Sequence, residues 1–410
     1  MTSPLMPVFA RADLAFERGE GAWLTTDTGE RYLDFGAGIA VNAVGHAHPH
    51  LVAAVKEQAE KLWHTSNLYR IPQGEILARR LVENSFADTV FFTNSGAEAN
   101  EAALKIARKY QSAASHPEKW RVITFAGAFH GRTLATIAAG GNPKHLDGFG
   151  PPVEGFDQIE VGDERVLREA IGPATAAIMI EPIQGEGGIR AVPPAFLRLL
   201  RQMCDEHDLL LIYDEVQTGI GRTGHLFAYE ESGVAPDVMS LAKGLGGGFP
   251  LGACLATSRA ASGMTAGSHG TTFGGNPLAM AVGNAVLDIV LEPGFLDQVK
   301  KKGVVLKQKL AAVADRHPAS IAGIRGEGLM LGLKCLAPNS EIVAALTEAH
   351  VLCVPAGDNV VRLLPPLTIS DEEIAEGIER IDAGLAALDD KLGLSLKASA
   401  NQKPIQVSRG

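Results

Sequence analysis

Residues 209–248 read LLLIYDEVQTGIGRTGHLFAYEESGVAPDVMSLAKGLGGG. Two near-continuous apolar runs stand in this stretch, LLLIYDE at 209–215 and DVMSLA at 237–242. Runs of that length without polar alternation suit strands buried on both faces, and such strands belong to parallel sheets covered by helices. The same signature recurs upstream, with TVFFT at 89–93, RVITFA at 121–126 and AAIMIEP at 176–182. Most of these runs lead into a Gly- or Ser-containing turn and then a helical pattern. The fold class is therefore α/β, a largely parallel sheet with helical crossovers.

Outside this central region the style of the sequence changes. GAWLTT and ERYLDF flank Asp27-Thr28-Gly29, which is hairpin chemistry. Leu51–Leu62 and Ile76–Glu83 have helical spacing. After about residue 295, Ile324–Lys334 and Val351–Leu364 read as hairpins, the second broken at Gly357-Asp358-Asn359. Ser370-Asp371-Glu372-Glu373 is a capping box opening a helix to about Leu392. The expected plan is a large α/β domain at 51–294 and a smaller α+β domain made from both chain ends. The smaller domain takes an N-terminal arm and part of its body from 1–50 and the rest from 295–396. A flexible polar tail is expected at 397–410.

The chain has 410 residues, 46% hydrophobic and 20% charged, an ordinary composition for a globular protein that buries a large core. Its net charge of -10 argues against nucleic acid or an anionic membrane surface as a partner, since both select basic proteins. Four scattered cysteines without a CxxC pair imply neither a zinc site nor a disulfide framework. The N-terminus lacks the pattern of a signal peptide, and no run approaches the roughly 18 apolar residues of a membrane span. A cytoplasmic location follows as the expectation.

In α/β sheets ligands gather at the carboxyl ends of strands. After TVFFT comes Asn94-Ser95-Gly96-Ala97-Glu98, opening a long helical pattern. Its backbone N–H groups could cradle a phosphate, or Ser95 and Glu98 could be a plain capping box. After LLLIY comes Asp214-Glu215-Val216-Gln217, where the acid is either an N-cap or a partner for a cationic ring nitrogen. After DVMSLA comes Lys243, then Gly244, Gly246, Gly247 and Gly248. A lysine between a strand and a glycine run suggests a partly desolvated amine of the kind that forms imines.

Six segments in order, SGAEANEAALKIAR, FHGRT, EPIQGEGG, YDEVQTGIGRTG, AKGLGGGFPLGA and GTTFGGNPLA, resemble the class III, pyridoxal-phosphate-dependent aminotransferases. The resemblance runs from about Val8 to Leu392. It implies fold type I: a large domain with a mainly parallel seven-stranded sheet, a smaller α+β domain, and a homodimer with sites at the subunit interface. It implies pyridoxal 5'-phosphate as cofactor and no metal. Lys243 would carry the cofactor and shuttle the proton, and Asp214 would keep the pyridine nitrogen protonated. Gln217 would reach the ring hydroxyl, with Glu215 and Val216 in the same cofactor-binding segment. Ser95, Gly96 and Ala97 would hold the phosphate, Phe129 would stack on the ring, and Thr272 would reach the neighbouring subunit's phosphate.

For substrates the resemblance implies that Arg132 binds one carboxylate and Arg362 the α-carboxylate of glutamate. Glu186 would pair with Arg362 when the other substrate is bound, and Thr271 would contact that substrate. The implied reaction moves the terminal amine of N2-acetylornithine to 2-oxoglutarate. Phe9 and Ile39 stand where ornithine-specific relatives carry tyrosines, which favours an acylated donor. Succinylornithine, succinyl-diaminopimelate, ornithine and 4-aminobutyrate remain alternative amine donors, and an aminomutase or decarboxylase would share the lysine and aspartate. Three features are set aside: His46, His48 and His50 as a metal cluster, Gly244–Gly248 as a nucleotide loop, and Trp63, which is expected to pack.

Overall fold

The computed structural model describes residues 4–393. Seven strands form the main sheet, in the order Thr89–Thr93, Gly252–Ala256, Val238–Leu241, Leu210–Asp214, Thr175–Ile180, Arg121–Phe125, Phe156–Ile159. Gly252–Ala256 runs antiparallel to both of its neighbours, and the other pairings are parallel. The five apolar runs read from the sequence all fall in this sheet. Phe156–Ile159 and Gly252–Ala256 were not anticipated. The first is a half-exposed edge strand with little apolar signal, and the second is short and rich in small residues.

The sheet is apolar on both sides for the reason its sequence suggests. Val122, Ala177, Leu210, Ile212 and Val238 face helix Gly96–Ala113, against Ala103, Ile106 and Ala107. The alternate residues Ile123, Ile178, Ile180, Leu211 and Tyr213 face helix Pro194–His207, against Phe196, Leu197, Leu200 and Met203. Successive side chains of one strand thus enter two different cores.

A second body joins the two ends of the chain. Strands Phe16–Glu20, Trp23–Thr26 and Arg31–Asp34 pair antiparallel, and Val351–Leu352 adds to Arg31–Asp34 in parallel. A four-stranded antiparallel sheet runs Ile321–Glu327, Met330–Cys335, Val360–Leu363, Val354–Ala356. Leu33 and Phe35 share one core with Leu306, Leu310, Leu346, Ile381 and Leu385. The expected Val351–Leu364 hairpin is smaller than its sequence suggests, because Val351–Leu352 leaves it to extend the N-terminal sheet. The capping box closes in both directions: Ser370 Oγ accepts from Glu373 N–H (3.1 Å) and Glu373 Oε2 from Ser370 N–H (2.8 Å), opening helix Asp371–Lys391. The tail expected at 397–410, and the last residues of the 295–396 segment, lie outside the described residues.

Trp63 departs from expectation. It is 65% exposed, with Nε1 donating to the Ala59 carbonyl at 2.7 Å. Among the described residues no single helix is long and apolar enough to cross a membrane.

Gly303, inside helix Phe295–Arg316, tests packing against propensity. A Cβ there would stand 2.7 Å from Gly328 Cα. Alanine should stabilise a helix interior by about 1 kcal/mol, whereas overpacking against backbone costs about 1–3 kcal/mol. Gly303→Ala should therefore lower the urea midpoint; a raised midpoint would mean that the two segments separate without cost.

Candidate active site

The carboxyl ends of the parallel strands converge on one rim of the sheet, around a cavity of about 420 Å³, a volume typical of small-molecule sites. Ser95, Gly96, Ala97, Phe129, Arg132, Asp214, Val216, Gln217 and Lys243 line it. So do Asn100, His130 and Glu181, which the sequence reading did not select. Their signal was present, since Asn100, His130 and Glu181 each stand inside one of the six quoted segments.

At one end of the cavity helix Gly96–Ala113 begins. A Cβ on Gly96 would lie 2.6 Å from Val216 Cγ1, so glycine lets Val216 pack over the helix start. Ser95 Oγ accepts from Glu98 N–H at 3.3 Å. Glu98 Oε2, however, takes the backbone and side-chain N–H of Asn94, at 2.6 and 2.9 Å. The return arm of a capping box thus lands one residue early and leaves the Ser95 N–H outside it. An anion at this helix start would meet N–H groups and the positive end of the helix dipole.

Asp214 closes strand Leu210–Asp214 at the cavity floor, almost fully buried. Its Oδ2 accepts from Asn100 Nδ2 (2.7 Å) and pairs with His130 Nδ1 (2.8 Å), while Oδ1 accepts from Val216 N–H (3.0 Å). Burial alone would lower the His130 pKa, but the hydrogen bond and charge of Asp214, with Glu181 beyond, reverse this and leave it above its ordinary value. Burial, reinforced by the charge of Asp214, pushes Glu181 up to about 7, against the opposing pull of His130 and two backbone N–H groups.

Lys243 opens a short turn, Lys243–Gly246, after strand Val238–Leu241. Its φ of 41° is left-handed, a conformation costing a residue with a Cβ about 1–2 kcal/mol. Burial pushes its amine below the ordinary lysine value. Glu186, Asp214 and Glu181 pull it back, and Arg362 adds to the lowering. The result favours a neutral, nucleophilic amine.

The two arginines differ. Arg132 is exposed, with its guanidinium 5.6 Å from the Phe129 ring centroid and no carboxylate partner among the described residues. Arg362 is 1% exposed and lies just behind the cavity lining. Its Nη1 donates to Glu186 Oε1 (2.6 Å) and to Gln217 Oε1 (3.3 Å), and its Nη2 to the Pro355 carbonyl (3.2 Å). Gln217 therefore bridges cavity and arginine.

Other expected residues fall elsewhere. The Glu215 carboxylate is turned from the cavity and accepts from Thr218 Oγ1 and the N–H groups of Ala228 and Tyr229; its side chain caps helix Tyr229–Ser232. Thr271 Oγ1 accepts from Asn94 Nδ2 and Gly274 N–H, and Thr272 is exposed. Neither threonine lines this chain's own cavity, and neither do Phe9 and Ile39, both exposed. The three histidines diverge: His46 pairs with Asp34, His50 with Asp288, and His48 Nδ1 accepts from the His50 backbone N–H.

A helix start beside glycine, a buried acid opposite, an aromatic wall and a desolvated lysine suit an enzyme whose cofactor has a phosphate, a basic ring and a carbonyl group. The sequence matches the family described as Aminotransferase class-III over residues 8–385, and the chain belongs to that family. Its cofactor is pyridoxal 5'-phosphate, which the residues fit. It is 66% identical to an acetylornithine aminotransferase of Agrobacterium fabrum, over 95% of this chain and 98% of that one. Among solved structures it resembles the N-acetylornithine aminotransferase of Stenotrophomonas maltophilia, with TM-score 0.82, 39% identity, and coverage of 93% and 98%. It also resembles the ornithine aminotransferase of Toxoplasma gondii, with TM-score 0.91, 33% identity, and coverage of 95% and 94%.

If the helix start holds the phosphate, Gly96→Ala should weaken cofactor retention about tenfold, as expected when a new Cβ costs about 1–3 kcal/mol at a binding surface. Visible absorbance after dialysis measures this. Unchanged retention would place the phosphate elsewhere.

Proposed function

We infer that the enzyme transfers the terminal amine of N2-acetylornithine to 2-oxoglutarate, giving N-acetylglutamate 5-semialdehyde and glutamate, a step of arginine biosynthesis. The observation that carries this reading is the unequal pair of arginines. Arg132 stands free at the cavity, and Arg362 is masked by Glu186 at 2.6 Å. An acylated ornithine brings one carboxylate, for Arg132. Glutamate and 2-oxoglutarate bring two, and the second would displace Glu186 from Arg362. A guanidinium suits both positions, because it binds carboxylates through parallel donors and keeps its charge.

When bound, the cofactor supplies an electron sink for the carbanion formed as the amine moves. Asp214, oriented by Asn100 and His130, would hold the proton on the ring nitrogen. Gln217 would meet the ring hydroxyl, and Phe129 and Val216 would flank the ring. Ser95, Gly96 and Ala97 would bind the phosphate. Lys243 would hold the cofactor covalently through its amine and, once displaced by substrate, move the proton between the substrate carbon and the cofactor C4′. Thr271 would contact the amine donor.

We further propose a cytoplasmic homodimer in which Thr272 completes the neighbouring subunit's phosphate site. Leu68 (86% exposed), Tyr69, Trp63 and Phe273 are large apolar side chains left on the surface, and exposed apolar groups that cluster mark association sites. Phe273 sits beside Thr272 and touches His64, ring centroids 5.3 Å apart, so that surface adjoins the threonine.

The deciding experiment follows cofactor absorbance in single half-reactions without keto acid. N2-acetylornithine should convert the holoenzyme faster than ornithine or 4-aminobutyrate; the reverse order would overturn the donor assignment. Arg362→Ala should slow the glutamate half-reaction about a hundredfold, as for loss of one buried charged hydrogen-bond partner, and the acetylornithine half-reaction less than about tenfold. Equal losses would remove Arg362 as the discriminating group, and failure to consume 2-oxoglutarate would point to an aminomutase or decarboxylase.

Sedimentation should give a dimer for the wild type and a shift toward monomer with weakened cofactor retention for Leu68→Asp. A wild-type monomer with a full complement of cofactor would refute the shared site.

A further inference from the structure

Glu181 follows strand Thr175–Ile180 and is 4% exposed, yet it forms no salt bridge with lysine or arginine among the described residues. Its two oxygens serve two different loops. Oε1 accepts the Phe129 N–H at 2.9 Å, and Oε2 accepts the Gly185 N–H at 3.2 Å. Phe129 belongs to the loop that also carries His130, the partner of Asp214, and Arg132. Gly185 immediately precedes Glu186, the partner of Arg362.

One carboxylate thus ties the cofactor-side loop to the loop that masks the second arginine. The tie is buried at Gly185 and part-buried at Phe129, and it links both loops to the end of strand Thr175–Ile180. Gly185 is held from its other side as well. A Cβ there would fall within 2.5 Å of the Gln217 amide, and Gln217 itself contacts Arg362. The backbone at Glu186 is therefore held from two sides, by Glu181 through the Gly185 N–H and by the Gly357 N–H, which donates to the Glu186 carbonyl at 2.8 Å.

We propose that Glu181 is a positioning residue that holds Glu186 in place over Arg362, and so sets how readily a dicarboxylate gains access to that arginine. It acts through Glu186 and touches neither substrate carboxylate. Replacing it by glutamine substitutes an NH2 for one acceptor oxygen, so either the Phe129 or the Gly185 N–H loses its partner. The Glu186 loop then loosens, the Glu186–Arg362 pair is less populated, and Arg362 becomes easier to reach. This inference rests on the reading of Glu186 and Arg362 as a carboxylate switch.

The test uses holoenzyme and glutarate, an unreactive five-carbon dicarboxylate, with binding measured by calorimetry. Glu181→Gln should bind glutarate about fivefold tighter than wild type, and Glu186→Ala should also bind it tighter. Adding Glu181→Gln to Glu186→Ala should change affinity less than about twofold, because the two act through one group. The KM for glutamate should fall in Glu181→Gln while the KM for acetylornithine rises, a split that general loosening of the fold would not produce. If Glu181→Gln yields no folded holoenzyme, Glu181→Asp, which draws the carboxylate back by one methylene, should show the same direction of change. Unchanged glutarate affinity, or a full effect persisting without Glu186, overturns the proposal. Arg362→Ala separates the two levels. If it leaves glutarate binding intact, the switch reading itself fails; if it abolishes binding while Glu181→Gln changes nothing, only the role of Glu181 fails.

Discussion

A carboxylate buried at the end of the central strand has to be met by donors, because an uncompensated buried charge is costly. Asp214 meets this demand with Asn100, His130 and the Val216 N–H. These groups come from a helix, from the loop after strand Arg121–Phe125 and from the turn beyond the strand itself. Parallel strand order brings the three segments to one rim. Asn100 lies four residues into the helix whose first residue is Gly96, a rise of about 6 Å. One rigid rod thereby fixes the spacing between the N–H groups at its start and an acid that its second turn reaches.

Lys243 shows the strain that this arrangement requires. The chain leaves strand Val238–Leu241, turns at once, and places the lysine in a left-handed conformation before a glycine-rich bend. A straight continuation of the strand would not return the amine toward Asp214. The strain is sustained because the glycines after it absorb the tight return and because the surrounding sheet is packed on both faces. The amine is desolvated by the same packing, so geometry and chemistry have one cause.

Much of this was legible in the sequence, and the illegible parts have physical reasons. The apolar runs gave five of the seven sheet strands because strands buried on both faces need uninterrupted apolar residues. Phe156–Ile159, at the edge, is under no such demand, and Gly252–Ala256 carries small residues since its first glycine packs against Thr93 and Ser95. Lys243 and Asp214 could be picked out because each stands at or just past the carboxyl end of an apolar run. His130 and Glu181 stand in the quoted segments, but their roles were not legible there, since they lie in contacts with residues 84 and 52 positions away. Glu215, adjacent to Asp214 and chemically identical in kind, points the other way because successive positions at a strand end alternate in direction. Trp63 is exposed on this chain, with its indole N–H bonded to the Ala59 carbonyl of the helix before it.

The contrast between the two arginines explains how one cavity could serve substrates of different charge. A buried guanidinium left without an anion would cost about 3–5 kcal/mol, so Arg362 needs a carboxylate in every state. With an acylated ornithine bound, Glu186 would supply it; with glutamate bound, the substrate would. On that reading the exchange replaces one carboxylate by another at the same guanidinium, and the charge near Lys243 stays nearly constant through both half-reactions. Arg132, solvated and stacked on Phe129, has no comparable need and can wait unpaired. A cavity with two buried arginines would have required two such masks, and a cavity with two exposed ones would have lost the difference between its substrates.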